Sequence, residues 1–303
     1  MKDHISVCVC TFRRNDMLRR LLFTLSRQET QGLFEYSVVV IDNDAGGAAK
    51  ACVLEAKEEL GLDLVYEIEP TNTIPAARNH ACRIARGNYI GIIDDDELAP
   101  ADWLLTLFRA VETFAVDGAL GPVYPFFEQT PPNWLVKSGL CERPVIRTGT
   151  LLDWNDTRTG NVLVRREVFT GNNLRFDENC KTSGSDKEFF REAMDRGCRF
   201  VAVAEAPVFE TVPPERQTMS YYFRRYRIQA SNERKFRAPM LRGTSKVTAP
   251  LKSLVALSTY SLLLPLSAVW GTHIALQLAL KVVYHGSWLL TMLGFDLAKS
   301  RNL

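Results

Sequence analysis

NTIPAARNHACRIARGNYIGIIDDDELAPADWL, residues 72–104, is the stretch on which the reading of the fold turns. Pro75 suits the first turn of a helix, where its missing N–H costs nothing, and the helix is expected over Ile74 to Ala85 with Gly87 just past its end. Tyr89 to Ile93 then reads as a short apolar strand, and four acids follow at once: Asp94, Asp95, Asp96 and Glu97. Helix, glycine, buried strand and carboxylate row make one turn of a wound α/β sheet. Open sheets of this kind place their ligands just past the C-terminal ends of strands.

Working towards the N-terminus, the same alternation repeats. Leu64 to Ile68 reads as a strand, Ala48 to Leu60 as a helix closed by Gly61, and Ser37 to Ile41 as a strand ending in Asp42-Asn43-Asp44. Asn15 or Asp16 is placed to cap a helix running to about Gln28, behind a first strand from His4 to Cys10. Downstream, Pro122, Pro125, Pro131, Pro132 and Pro144 mark a loop-rich stretch suited to a lid or an acceptor-facing wall. Regularity returns with a strand at Asn161 to Val164, a helix at Asp186 to Arg196 and a strand at Arg199 to Val203. No internal repeat or low-complexity segment is evident.

With 46% hydrophobic and 24% charged residues among 303, the chain excludes wholesale disorder. Its seven cysteines form no CxxC pair, and Cys8 and Cys10 read as small core residues of one strand face. The first residues lead directly into a strand without the basic and apolar regions of a secretory signal, so reduced thiols and a cytosolic catalytic part are expected.

Charge is unevenly spread. Residues 216–252 hold ten Lys or Arg and one acid, a net of +9, and residues 253–303 add +2; the total of +2 leaves −9 for the first 215 residues. Ser253 to Leu280 is uncharged, interrupted by Pro265 and Gly271, and a second uncharged run covers Val282 to Phe295. As one straight helix the first run would reach about 42 Å, more than the ~30 Å of a bilayer core. A kink at Pro265 makes two shorter helices dipping into one leaflet as reasonable as a span. The basic collar is what anionic cytoplasmic lipids attract, which favours membrane contact over a soluble helical pair docked on the core. With an acidic body and no recognition motif, nucleic acid is not an expected partner.

A displacement in which a hydroxyl expels an anionic group requires charge compensation for the departing anion and a base for the hydroxyl. Carboxylates at a strand end can hold a divalent cation for the first task, and a separate carboxylate can serve the second. Asp94 and Asp96 are candidates for the metal, and Asp186, opening a helix after Ser183-Gly184-Ser185, for the base. Each has a plainer alternative. The acidic row can be a capping loop, Asp186 can simply complement a helix dipole, and Asp42 can be a turn residue.

The strings ISVCVCTFRRNDML (5–18), SVVVIDNDA (37–45), the 72–104 stretch, TGNVLVRREVF (159–169), SGSDKEFFREAMDRG (183–197) and VPPERQTMSYYFRRYR (212–227) together resemble the family 2 glycosyltransferases of the GT-A fold. Within that family the chain is most similar to bacterial exopolysaccharide glucosyltransferases of the succinoglycan type. The resemblance implies a Rossmann-like mixed α/β sheet flanked by helices over residues 1–236. A basic linker at 237–252 and a membrane-associating apolar helical segment at 253–303 would follow. It implies that Thr11 and Phe12 line the nucleoside pocket, that Asp42 contacts the base, and that Arg78 and Asn79 lie near the nucleotide. Asp94 then faces ribose and metal, Asp96 the metal (Mg²⁺ or Mn²⁺), and Asp95 the donor sugar or phosphate. Thr159, Gly160 and Asn161 fall beside the donor sugar, and Asp186 stands as the base. Phe12 replaces a tyrosine and can stack but not donate a hydroxyl bond. Ser185 replaces the glutamate that precedes the base, and Phe209 stands where relatives carry a metal-reaching histidine.

Arg216, Arg224 and their aromatic neighbours read either as a floor for donor and acceptor phosphates or as a solvated helix with an apolar stripe. The expected reaction is inverting transfer of a hexose, with a UDP-sugar as donor and a polyprenyl diphosphate-linked saccharide as acceptor. The expected place is the cytoplasmic face of the inner membrane. Two rivals stand beside it: a sugar-phosphate nucleotidyltransferase, disfavoured because CTFRRNDML lacks glycine, and a non-catalytic membrane-associated member of the family, which Ser185 and Phe209 keep open.

Overall fold

The computed structural model describes residues 2–179, 184–237, 243–295 and 297. The chain divides into two compact units: Met1–Phe126 with Arg143–Thr211, and Phe127–Glu142 with Val212–Leu303.

The first unit begins with β1 (Asp3–Thr11), α1 (Asn15–Leu25), β2 (Phe34–Asp42), α2 (Lys50–Leu60), β3 (Leu64–Ile68), α3 (Ile74–Ile84) and β4 (Tyr89–Ile92). This is the alternation read from the sequence, with ends shifted by a few residues. The first helix starts at Asn15 without a side-chain cap, because Arg14, which has no acceptor, holds the N-cap position; the Asn15 amide donates to the Ala48 carbonyl at 2.9 Å. Then come β5 (Glu97–Leu98), α4 (Trp103–Thr113), β6 (Gly118–Leu120) and β7 (Val123–Phe126). The short α5 (Asn133–Ser138) belongs to the second unit, and β8 (Val162–Arg165), α6 (Glu167–Thr170), α7 (Ser185–Asp195), β9 (Phe200–Ala202) and β10 (Val208–Thr211) complete the first.

Seven strands form one sheet in the order β3-β2-β1-β4-β8-β6-β9. Every pairing is parallel except those of β8, which runs against both β4 and β6. Both faces are covered, so the central strands are apolar at nearly every position. On one face Ile5, Val7, Val9, Val38 and Val40 pack with α1, α2 and α4, including the fully buried Leu22, Val53 and Trp103. On the other, Cys8, Val39 and Ile41 meet Ala77 and Ala81 of α3, Phe169 of α6, and Phe189 and Phe190 of α7. The expected burial of Cys8 is observed, and the six described cysteines are free thiols.

A second, three-stranded sheet, β5-β10-β7, was not anticipated. It pairs Glu210 with Glu97 and Phe209 with both Leu98 and Tyr124, directly after the acidic row. Two-residue strands such as β5 carry no periodicity from which they can be read.

The second unit packs α5 with α8 (Met219–Arg237) and α10 (Thr272–Met292) around Leu135, Tyr222, Leu276 and Leu280. Tyr284 donates to Glu233 at 2.6 Å and Gln277 to the Ser138 carbonyl at 2.7 Å. The division expected at residue 236 falls within α8. The run from Ser253 is not one helix. α9 (Ser245–Leu263) gives way to a 3-10 segment at Pro265–Trp270, and Gly271, at φ +109°, opens α10. Among the described residues no helix is long and apolar enough to cross a membrane.

Candidate active site

β1 and β4 are adjacent parallel strands, so Thr11 and the residues after Ile92 emerge side by side at their C-terminal ends. The Thr11 hydroxyl donates to Asp95 at 2.8 Å, joining the two strand ends. Arg14, at the start of α1, reaches back and bonds both Asp95 and Asp96 at 3.1 Å. Asp94 is the outward member of the row, with its side chain 45% exposed and Arg78 of α3 at 3.3 Å. The turn is closed by Glu97, which accepts the Asp94 N–H at 3.0 Å, and by Thr211 N–H donating to the Asp96 carbonyl at 2.7 Å.

Packing four carboxyls together has an electrostatic consequence. Burial, reinforced by the charges of Asp94 and Glu210, raises the Asp96 pKa to about 7 despite Arg14. Burial also raises Asp95, with Arg14 opposing. The enclosed Glu97 is pushed well above the carboxylate range, first by burial and then by Asp94. A cation is the natural way to hold such a row ionised.

Beside the row stand the ends of β1 and β2. Phe12 is 40% exposed, with the Arg13 guanidinium 5.2 Å from its ring centre, and Arg13 pairs with Asp44 at 3.1 Å. Asp42 differs from the expected ligand-facing group. It is fully buried, and its carboxylate accepts the Asp44 N–H at 3.0 Å, the Ala49 N–H at 2.7 Å and the Tyr66 hydroxyl at 3.0 Å. A carboxylate at a strand end is within reach of the turn that follows, and here it fixes the loop to α2.

The Thr159-Gly160-Asn161 segment enters from β8. A Cβ at Gly160 would stand 2.7 Å from Glu97 Oε1 and 3.1 Å from Asp94 Oδ2, so any larger residue would displace these carboxylates. Asn161 also differs from expectation. It is fully buried at φ +61°, its Oδ1 accepts the Trp103 indole N–H at 2.7 Å, and its amide donates to the carbonyls of Pro122 and Ala206, each at 2.8 Å. With its polar atoms spent inside the fold, Asn161 serves by fixing the backbone at Gly160. Asn79, partly buried, is engaged within the unit by bonds to the Phe176 backbone and to Glu178.

Asp186 stands in the first turn of α7, behind Gly184 at φ +100° and the buried Ser185. It lines a cavity of about 390 Å³ with Arg143, Arg158, Lys187 and Asp156, walled by Pro122, Pro144 and neighbouring apolar residues. The loop-rich middle thus supplies part of this wall. Arg216, at the end of the 3-10 turn Pro214–Arg216, and Arg224, on α8, belong to the second unit.

Arg14 and Arg158 lie in or beside the quoted motifs but carry no sequence signal of their own, and only tertiary pairing brings Glu210 to the row. For a metal, Asp94 and Asp96 supply two hard oxygen donors of the kind Mg²⁺ or Mn²⁺ takes, and Gly160 leaves the Asp94 side uncovered. Both carboxylates bear arginines, and among the described residues no set of three or more His, Cys, Asp or Glu converges as a cage. The donor set therefore fits a cation that completes its shell with diphosphate oxygens and water.

A wound sheet with a carboxylate row after β4, and a further carboxylate in a separate cavity, defines a glycosyltransferase of the GT-A type. The chain belongs to glycosyl transferase family 2, whose sequence signature matches residues 6–171. It is 32% identical over 228 residues to the succinoglycan biosynthesis protein ExoM of Rhizobium meliloti, covering 73% of this chain and 71% of that protein. It is 24% identical over 251 residues to the chondroitin synthase of Escherichia coli, of which the match spans 36%. Among solved structures, S. aureus TarS 1–349 in complex with UDP-GlcNAc superposes with a TM-score of 0.57 at 16% identity, covering 97% of this chain and 92% of that one. The mannosyltransferase PcManGT from Pyrobaculum calidifontis, in complex with GDP-Man and Mn²⁺, gives 0.60 at 18% identity, over 97% and 87%. At such identities these two show the shared fold.

Proposed function

We propose that the chain transfers a hexose from a nucleotide sugar, with UDP as the nucleotide, to a lipid-linked saccharide, with inversion at the anomeric carbon. The observation that carries this reading is the presence of two carboxylate sites in one unit, the Asp94–Asp96 row after β4 and Asp186 in its own cavity. Phe12 offers the base a stacking face, and Arg78 and Asp94 stand towards the ribose and phosphates. When bound, Mg²⁺ or Mn²⁺ offsets the charge that develops on the departing diphosphate. Asp186 takes the proton of the acceptor hydroxyl as its oxygen attacks the anomeric carbon from the side opposite the departing group. In a single displacement of this kind the configuration inverts.

The lipid-linked acceptor and a place at the cytoplasmic face of the inner membrane draw support from the second unit. Val247, Leu254, Leu262, Leu266, Val269 and Trp270 are each more than half exposed on α9 and the segment after it. That apolar surface lies in the chain beside the basic run of residues 216–252, the combination that adsorbs to anionic membranes. Release of UDP from a panel of UDP-hexoses, with Mn²⁺ and with excess chelator, tests the proposal. One donor consumed in the presence of metal is the expected result; no turnover of any donor with lipid-linked saccharides would overturn it.

A further inference from the structure

The cavity beside Asp186 contains a charge that the mechanism does not use. Arg158, immediately before the Thr159-Gly160-Asn161 segment, has no hydrogen bond or ion pair among the described residues, and its Nε is enclosed without an acceptor. Its neighbours are otherwise engaged. Arg143 pairs with Glu210 at 3.6 Å, and Lys187 donates to the Asn155 carbonyl at 3.0 Å. Burial, with Arg143 as the next cause, brings the guanidinium down to about 10, while the carboxylates of Glu97, Glu210 and Asp186 oppose the shift. Enclosing an N–H without an acceptor costs free energy that a bound acceptor recovers.

The surroundings say what would satisfy it. Leu120, Pro122, Pro144, Ile146 and Leu152 give the cavity apolar walls suited to the C–H faces of a sugar ring. Asp94, Asp95 and Asp96 are not among the cavity's lining residues, whose carboxylates are Asp156 and Asp186. The planar fork of arginine matches two oxygens of a carboxylate or phosphate. We propose that Arg158, with Arg143 beside it, forms an anion-binding subsite next to Asp186, and that the accepting saccharide carries a carboxylate or phosphate group. This rests on the reading of Asp186 as the acceptor-side base, and it adds a substrate class: an acidic acceptor.

The test measures binding by ligand-observed NMR on the full chain, using three probes of similar size: methyl β-D-glucuronide, glucose 6-phosphate and neutral methyl β-D-glucoside. Calorimetry with UDP and Mn²⁺ runs alongside. At least one anionic probe should bind about tenfold or more tightly than the glucoside, and the stronger of the two identifies carboxylate or phosphate as the natural group. R158Q should erase that preference, R158K should retain part of it by keeping charge without the fork, and UDP affinity should hold within about twofold in both. Because Arg158 has no internal partner, R158Q should melt at or above the wild-type temperature. Equal binding of all three probes, a preference that survives R158Q, or a lower melting temperature in R158Q would overturn the subsite. Loss of UDP affinity in R158Q would overturn it too, by moving Arg158 to the donor. Absence of UDP binding in the wild type would strike the donor-site reading, and the glucuronide and phosphate results would still decide the subsite on their own.

Discussion

Replacing Asn161 by alanine is expected to damage the fold before it damages any chemistry. Three groups lose a partner: the Trp103 indole N–H and the carbonyls of Pro122 and Ala206. Pro122 keeps a second bond, from Val208 N–H at 3.0 Å, so two buried groups are left without one. Each such orphan costs about 1–3 kcal/mol. Alanine must also adopt φ near +61°, where a Cβ without a local hydrogen bond costs ~1–2 kcal/mol. Together the loss is about 3–8 kcal/mol, against a total stability of roughly 5–15 kcal/mol for a folded domain. Asn161→Gly removes the backbone part alone and should be less destabilised than Asn161→Ala by about 1–2 kcal/mol. Urea unfolding of the three proteins, followed by circular dichroism, reads both quantities. A change below about 1 kcal/mol in Asn161→Ala would refute the reasoning, because the side chain would then not be holding α4, β8 and the residues before β7 and β10 together.

Gly160→Ala should leave the melting temperature close to wild type but weaken Mn²⁺-dependent UDP binding about tenfold or more, since its Cβ pushes on Glu97 and Asp94; unchanged affinity would show that the row tolerates displacement. Asp96, raised to about 7, makes metal binding depend on pH. A proton and the cation compete for it, so Mn²⁺ affinity should fall by up to about tenfold per pH unit below 7 and level off above, and a flat profile from pH 5 to 8 would remove Asp96 as a ligand. The same raised group stabilises the metal-free protein fully below the ordinary carboxylate pKa and loses that contribution as pH climbs through 7. The metal-free protein should therefore melt higher at pH 5 than at pH 8 through this group, with Mn²⁺ raising the melting temperature more at pH 8.

Much of the first unit was legible because its strands and helices alternate with few interruptions. Gly61 marked the end of α2 through its left-handed φ of +64°, and the row from Asp94 announced the end of β4. Between Gly118 and Phe126 the reading failed. β6 and β7 are too short for a pattern, and β8 reverses direction between β4 and β6, which no local signal encodes. At the site, sequence could nominate Thr11, Asp42 and Asn161 but not their orientation. All three turn inward, Asp42 and Asn161 mainly to backbone groups and Thr11 to the Asp95 carboxylate, because a buried polar group is satisfied within the fold first. Arg158 was invisible for a related reason: its significance lies in having no partner, which only three dimensions reveal.

The measurement that bears most directly on the account separates binding from chemistry at Asp186. Asp186→Asn keeps the shape of the side chain in the first turn of α7 but removes nearly all of its basicity. With UDP-hexose, Mn²⁺ and a lipid-linked saccharide acceptor, turnover should fall by about 10²- to 10⁴-fold, the usual worth of general-base assistance. Calorimetric affinity for UDP and Mn²⁺ should change by less than about threefold, or ~0.7 kcal/mol. Turnover within a factor of two of wild type would contradict the assignment of Asp186 as the base, and a parallel loss of UDP affinity would place it with the nucleotide instead.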